Sequence, residues 1–271
     1  MADDELSDFE HTSFAPVDGK ERAIFRKGDG PAVIVIAELP GITPNVADFA
    51  RRVADLGCTA VMPHLFGIPG RDPNAGRIAP LTYAMSSLVP ACVSREFTTW
   101  ATGRTSPVVE WLRALASQEH QRCGGPGVGA VGMCFTGGFA LAMATDPVLV
   151  APVMSQPSMP IAVRSKQRRS IDCSPADLDL VAQRCATEGL EVLGLRFRGD
   201  RLVPPERFEL LRQQLGDAFV AIELDAESAN PDARMKPHSV LTEHLIDVPG
   251  EPTRAALDRV LEHLRSRLLD Q

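Results

Sequence analysis

Short apolar runs and stripes of apolar residues at helical spacing alternate along the chain. Residues 32–37 form a continuous apolar run, which is typical of a strand in a sheet covered on both faces. Residues 45–56 place apolar side chains on one helical stripe, and Gly57 follows where such a helix would end. This change of period predicts a strand followed by a helix.

The same pattern continues to the end of the sequence. It predicts strands over residues 23–26, 32–37, 59–62, 128–132, 148–153, 192–197 and 218–224. It predicts helices over residues 45–56, 106–117, 137–144, 174–189 and 205–215, and a last helix from Pro252. Strands that alternate with helices in this way indicate an α/β fold with a mostly parallel central sheet and helices on both faces.

Two segments stand outside the alternation. Residues 1–20 are polar and are expected to form an N-terminal arm. Residues 63–105 are rich in Gly, Pro, Ser and Thr without a strong period, and a loop of this length is usually functional. We therefore expect residues 63–105 to form a lid or a wall of the cleft. The whole chain, residues 1–271, is expected to be one domain.

Composition excludes several classes of protein. Hydrophobic residues make up 44% and charged residues 23% of the chain, which is ordinary for a globular protein. The 28 basic and 35 acidic residues give a formal charge of −7, so no global field attracts nucleic acid or an anionic membrane surface. No apolar run approaches the roughly 20 residues that span a bilayer. We expect neither a nucleic-acid nor a membrane partner.

The cysteines suggest a cellular compartment. Six cysteines in 271 residues are too few for a disulfide scaffold, and no signal-peptide core follows the acidic N-terminus. The expectation is a cytoplasmic protein with reduced thiols, most of them buried.

One cysteine occupies an unusual sequence. Residues 132–138 read G-M-C-F-T-G-G and join a predicted strand directly to a predicted helix. A sharp strand-to-helix turn needs small neighbours and exposes its central side chain, as in the nucleophile elbow. That position at a helix N-terminus favours the thiolate form of Cys134. The alternative is a buried structural cysteine beside a glycine-rich helix contact.

A second signature overlaps the first. Gly127, Gly129 and Gly132 satisfy the dinucleotide-binding pattern G-x-G-x-x-G. That pattern requires a strand before its first glycine, whereas here the glycines lie within the predicted strand. A nucleotide site is therefore not expected, and no cofactor is implied.

Two further residues complete a possible catalytic triad. Asp200 follows the strand over residues 192–197, and His238 follows the next strand after a polar loop. The hydrolase fold supplies its triad in the order nucleophile, acid, histidine. Taken singly, Asp200 could be a helix cap and His238 an ordinary loop histidine. Their order after Cys134 favours the catalytic interpretation.

With these motifs the chain resembles the dienelactone hydrolase family, α/β hydrolases with a Cys-His-Asp triad that open cyclic enol-lactones. The resemblance extends from about residue 32 to 268. It rests on I-V-I-A-E-L-P-G at 34–41, G-M-C at 132–134, G-D at 199–200 with V-P at 203–204, and P-H-S at 237–239.

The resemblance implies roles for six residues. Cys134 corresponds to the nucleophile, His238 to the general base and Asp200 to the acid that orients it. Glu38 corresponds to the carboxylate that contacts the resting thiol. The backbone N–H groups of Leu39 and Phe135 correspond to the oxyanion hole.

The chain also departs from the family pattern. Thr136 stands where the family usually has glycine, two residues after the cysteine. The arginine that holds the substrate carboxylate shortly after the triad histidine is missing, since Ser-Val-Leu-Thr follows His238. Arg95 is a candidate for the family's other arginine. The missing arginine argues against dienelactone itself as the substrate.

The sequence gives less support to a functional role for the other histidines. His64 follows a strand and could line the cleft or, less favourably, replace His238 as base. His244 is expected on a helix surface. His120 and Cys123 have the spacing of half a metal site, but no second pair accompanies them, so no metal is expected.

The sequence thus predicts a cofactor-free cysteine hydrolase that cleaves a lactone, an activated ester or a thioester through an acyl-cysteine. Its only expected partner is the small-molecule substrate. Two other functions stay open. One is a non-catalytic binding or regulatory protein with a hydrolase fold, and the other is a thiol-redox protein in which Cys134 pairs with Cys123 or Cys173.

Overall fold

A computed structural model describes residues 2–17, 19–74, 94, 96–97 and 99–270. Its strands are β1 (Glu10–Phe14), β2 (Arg22–Lys27), β3 (Ala32–Ile36), β4 (Thr59–Pro63), β5 (Val128–Met133), β6 (Leu149–Ser155), β7 (Val192–Phe197) and β8 (Phe219–Leu224). Its α-helices are α1 (Pro44–Asp55), α2 (Val108–Cys123), α3 (Gly137–Met143), α4 (Ser165–Arg168), α5 (Pro175–Glu188), α6 (Pro205–Leu215) and α7 (Pro252–Leu268).

All of these strands belong to one sheet with the order β1-β2-β4-β3-β5-β6-β7-β8. Strands β4, β3, β5, β6, β7 and β8 run parallel, whereas β1 and β2 are antiparallel to their neighbours. The predicted α/β architecture with a mostly parallel sheet is confirmed. Because β5 lies in the middle of the parallel strands, the residues that follow it are placed at the centre of the sheet's carboxyl edge.

The apolar run of β3 is buried on both sides. Ile34 and Ile36 pack into a core with α2, α3, α5 and α6, whereas Val33 and Val35 pack into a core with α1 and α7. Side chains alternate between the two faces of a strand, so a strand covered on both faces must be apolar throughout. This is why the run carries no polar position.

Two local predictions differ from the structure. The predicted arm over residues 1–20 contains strand β1, which pairs with β2, and its Leu6, Phe9 and Phe14 are buried. The helix predicted from residue 106 begins at Val108, and the Ser106 hydroxyl and N–H both donate to the Asp172 carboxylate. Ser106 therefore joins two loops instead of capping α2.

The segment 63–105 is only partly described. Residues 64–74 are in place, and Phe97 packs against the rings of Phe135 and Phe139. Residues 75–93, 95 and 98 lie outside the described residues, so its interpretation as a lid or cleft wall stays a prediction. No helix in the described ranges combines the length and apolarity needed to cross a membrane.

Candidate functional site

Cys134 lies in a cramped turn between β5 and α3. It begins a single 3₁₀ turn, Cys134–Thr136, and its φ is +53°, in the left-handed region that residues other than glycine rarely adopt. A Cβ on Gly132 would lie 2.3 Å from the Thr136 carbonyl oxygen, and one on Gly137 would lie 2.6 Å from Pro157 Cα. Both neighbours must therefore be glycine, as in a nucleophile elbow.

Thr136 accounts for the departure from the family pattern. Its hydroxyl donates to the Ile36 carbonyl at 2.8 Å and accepts from the Met133 N–H at 3.0 Å. Thr136 is fully buried. The side chain thus joins the elbow to the end of β3, and glycine could not supply this link.

Asp200 and His238 meet in the fold although they are 38 residues apart. His238 Nδ1 lies 2.6 Å from Asp200 Oδ2, and both side chains are buried. The other carboxylate oxygen, Oδ1, accepts from the Leu202 N–H at 2.9 Å. The second contact fixes the carboxylate, so Asp200 can hold the imidazole in one orientation and keep the proton on Nδ1.

The opposite ring nitrogen of His238 is available for chemistry. Nε2 is buried, and its neighbour among the described residues is the Cys134 sulfur. Burial alone would lower the pKa of His238, but the negative charge of the Cys134 sulfur and the hydrogen bond to Asp200 raise it well above its usual value. The balance of these effects favours a protonated imidazole beside the Cys134 sulfur.

Sequence reasoning missed a hydroxyl that contacts the sulfur. Ser158 Oγ lies 3.4 Å from Cys134 Sγ, and the Ser158 N–H donates to the Cys134 carbonyl at 2.9 Å. Ser158 follows β6, the parallel neighbour of β5. A hydroxyl residue just beyond a strand that neighbours the strand before Cys134 is the signal that could have identified it.

Glu38 lies at the carboxyl end of β3 and is 6% exposed. Its Oε2 accepts from Ser239 Oγ at 2.7 Å and from Gln156 Nε2 at 3.2 Å, and its Oε1 accepts from the Thr242 hydroxyl. Among the hydrogen bonds of the described residues, none joins Glu38 to Cys134. Three donors hold the carboxylate, and the contact with the resting thiol that the resemblance implies stays a prediction.

Gln156 extends this network. Its Oε1 accepts from the Val240 N–H at 3.3 Å and from the Ser155 hydroxyl, while its Nε2 bonds Glu38. The segment 239–242, which follows His238, is therefore tied to the ends of β3 and β6. These two strands flank β5, so the network places His238 relative to the strand that precedes Cys134.

The prediction that His244 lies on a helix surface is wrong. His244 is 1% exposed; its Nδ1 accepts from the Ser239 N–H at 3.1 Å, and its Nε2 donates to the Met235 carbonyl at 3.1 Å. His244 thus holds the loop on both sides of His238. The spacing of six residues between His238 and His244 does not predict this role, because the contacts depend on how the loop folds back on itself.

The remaining candidates are less directly placed. His64 is half-buried, and its Nε2 contacts the Gly67 carbonyl at 3.0 Å. Leu39 directly follows Glu38, and Phe135 directly follows Cys134 in the 3₁₀ turn. Arg95 lies outside the described residues. Within the described ranges, His, Cys, Asp and Glu form no group of three or more that could hold a metal ion.

Comparison with sequence families gives a match that covers more than half of the chain. The profile of the dienelactone hydrolase family matches residues 22–191. The matched stretch contains Glu38 and Cys134 and ends before Asp200 and His238. No protein of curated function matches the chain significantly.

Solved structures share the fold over nearly the whole chain. A dienelactone hydrolase from Anabaena variabilis has a TM-score of 0.55 and 14% identity, covering 96% of this chain and 99% of that one (solved at 1.92 Å). A dienelactone hydrolase-like promiscuous phosphotriesterase from metagenomic libraries has values of 0.59 and 15%, covering 96% and 98%. The α/β hydrolase GrgF from Penicillium sp. has values of 0.57 and 14%, covering 96% and 99%. At these identities the similarity establishes the α/β-hydrolase fold alone.

Proposed function

Since this chain belongs to the dienelactone hydrolase family, and is therefore a hydrolase of the ester and lactone class, we propose that it acts through Cys134, His238 and Asp200. The expected substrates are lactones, activated esters and thioesters. The observation that carries this proposal is the 2.6 Å contact between His238 Nδ1 and Asp200, which leaves the opposite ring nitrogen, Nε2, to exchange a proton with Cys134.

The reaction begins with attack of the Cys134 thiolate on the substrate carbonyl carbon. The carbonyl electrons move to oxygen, and the backbone N–H groups of Leu39 and Phe135 are proposed to stabilise that oxyanion. When the tetrahedral intermediate collapses, the leaving group takes the proton from His238 Nε2. An acyl-cysteine and a neutral imidazole remain.

Deacylation reverses these roles. Neutral His238 takes a proton from water, and the resulting hydroxide attacks the acyl carbonyl. Collapse of the second intermediate expels the thiolate and releases the acid, so the thiolate and the protonated imidazole are restored. Asp200 keeps the ring in the same orientation through both steps. Each turnover consumes one water and needs no cofactor.

Glu38 has a structural part in this proposal. Its carboxylate holds the segment after His238 through Ser239 and Thr242, so we assign it as a positioning residue in the resting protein. Thr242 occupies the region where the resemblance would place a carboxylate-binding arginine. The proposed substrate accordingly presents no carboxylate to this position.

Thiolate attack favours particular leaving groups. A thiolate is a better leaving group than an alkoxide, so an intermediate formed from a plain alkyl ester returns to substrate more often than it proceeds. Enolates, phenolates and thiolates leave readily enough to compete. We therefore expect rapid hydrolysis of enol-lactones, aryl esters and thioesters, and slow hydrolysis of alkyl esters and amides.

A hydrolysis panel tests the proposal. Wild-type protein is compared with Cys134→Ala, and Cys123→Ala serves as the matched control at a half-buried cysteine. Turnover of aryl esters, lactones or thioesters should be lost in Cys134→Ala and kept in Cys123→Ala. Mass spectrometry after rapid acid quenching should find the acyl group on Cys134. Unchanged turnover in Cys134→Ala would refute the cysteine mechanism, and reversible oxidation of Cys134 without turnover would favour the redox function.

A further inference from the structure

The contact between Ser158 and Cys134 has no part in the triad mechanism. Its Oγ lies 3.4 Å from the Sγ atom, within hydrogen-bond range for sulfur. Because the Ser158 N–H also donates to the Cys134 carbonyl at 2.9 Å, main chain and side chain approach the same residue. This double contact fixes the hydroxyl beside the sulfur.

The loop that carries Ser158 is held firmly from beneath. Arg207 is fully buried and donates to the carbonyls of Pro157 at 2.6 Å and Pro160 at 2.8 Å, one on each side of Ser158. It also donates to the carbonyls of Gln167 and Ser170. With Pro157 packed directly against Gly137, the loop cannot withdraw from the elbow without breaking these contacts.

We propose that Ser158 is a catalytic residue whose hydroxyl donates a hydrogen bond to the Cys134 thiolate and so stabilises the ionised nucleophile. Hydrogen bonds to ionised groups are roughly twice as strong as neutral ones. The sulfur of the acyl-cysteine is a thioester sulfur and carries no negative charge, so this hydrogen bond stabilises the resting thiolate more than the acyl-cysteine. The inference rests on the proposed role of Cys134 as nucleophile.

The other charged groups near the sulfur are already accounted for. His238, backed by Asp200, supplies the positive charge. The Glu38 carboxylate is engaged by Ser239, Thr242 and Gln156, and Arg207 is engaged by main-chain carbonyls. Replacing Ser158 leaves each of these hydrogen bonds in place, so a change in thiol ionisation can be assigned to the hydroxyl.

The test measures the pH dependence of Cys134 alkylation by iodoacetamide, followed on the Cys134 peptide by mass spectrometry. In Ser158→Ala the midpoint of thiol ionisation should rise by about one pH unit, which slows alkylation about tenfold below the midpoint. Ser158→Thr and Ser158→Val form a matched pair of nearly equal shape, and only the threonine keeps the hydroxyl. The Thr variant should stay near wild type, whereas the Val variant should follow Ser158→Ala.

Ser170→Ala is the control, because Ser170 lies in the same connection between β6 and α5, beyond α4, and its hydroxyl bonds only the nearby Lys166 carbonyl among the described residues. Equal midpoints in the Thr and Val variants would overturn the proposal, whether both match wild type or both are raised. If Ser158→Ala does not fold, the Thr and Val pair decides alone. Alkylation needs no ester substrate, so the role of Ser158 can be refuted while the hydrolysis panel still shows turnover through Cys134. Equally, the panel can refute the cysteine mechanism while the alkylation assay shows that Ser158 stabilises the thiolate.

Discussion

The network around Glu38 leads to a quantitative prediction about the coupling between two strands and the histidine loop. The Thr242 hydroxyl donates to Glu38, and both side chains are less than 10% exposed. A hydrogen bond to a charged group stabilises a folded protein by about 1.5–3 kcal/mol. Thr242→Val keeps the shape and removes the donor, so we expect it to lower the free energy of unfolding by that amount.

A double-mutant cycle isolates the interaction. Glu38→Ala removes the acceptor of three hydrogen bonds and should destabilise more than Thr242→Val does. If the two residues act through one bond, the double variant should be less destabilised than the sum by about 1.5 kcal/mol. Urea unfolding at pH 7, followed by circular dichroism, measures all four proteins.

The control cycle pairs Glu38 with Thr253. Thr253 is fully buried, and its hydroxyl accepts from the Ile246 N–H at 3.0 Å, so Thr253→Val makes a similar change with no shared partner. That cycle should be additive within about 0.5 kcal/mol. Additivity in the Thr242 cycle as well would refute the proposed coupling between Glu38 and Thr242, and so would full esterase activity in a folded Thr242→Val protein.

Three further predictions concern other parts of the chain. Asp200→Asn should lower kcat roughly a thousandfold or more in steady-state ester hydrolysis, because the ring of His238 loses its orienting carboxylate; a tenfold loss or less would contradict this role. Burial lowers the pKa of His263 to about 4, so between pH 6.5 and 4 the unfolded chain binds a proton that the folded chain does not. The free energy of unfolding, measured in urea titrations, should therefore fall by about 3 kcal/mol as the pH is lowered from 6.5 to 4, and by less in His263→Gln. The buried Arg26 guanidinium donates to the buried Glu119 carboxylate. Glu119→Ala leaves that guanidinium without this carboxylate and should lower the free energy of unfolding by about 3–5 kcal/mol in the same assay, whereas Arg26→Met combined with Glu119→Leu should lower it much less.

The parts of the fold that follow from hydrophobic pattern were predictable. Residues 32–36 had to be apolar on both faces, and the sequence shows this directly. The helix predicted over residues 174–189 is α5, and the Ser174 hydroxyl caps it by accepting from the Asp177 N–H. Strand β1 was not predicted, because its sequence E-H-T-S-F has one buried residue and pairs at the edge of the sheet. An edge strand has less need of an apolar alternation.

The site was predictable only where order along the chain carries information. Asp200 and His238 were found because each follows a strand in the sequence expected for a hydrolase. Their contact, like the partners of Glu38 some 200 residues away, depends on how the loops fold back. Ser158 follows β6 in a stretch without a known motif, and it reaches the sulfur through the packing of Pro157 on Gly137 and the hydrogen bonds of Arg207, which the sequence does not reveal.

The hydroxyl of Thr136 has a consequence for how relatives of this chain are identified. A consensus that demands glycine two places after the cysteine would pass over this protein, although its backbone turns as sharply as the motif requires. The structural requirement falls on Gly132 and Gly137, where a side chain would collide with main-chain atoms. Surveys that accept threonine at the variable place, provided glycine comes next, should retrieve a branch whose elbow is fastened to the adjacent strand.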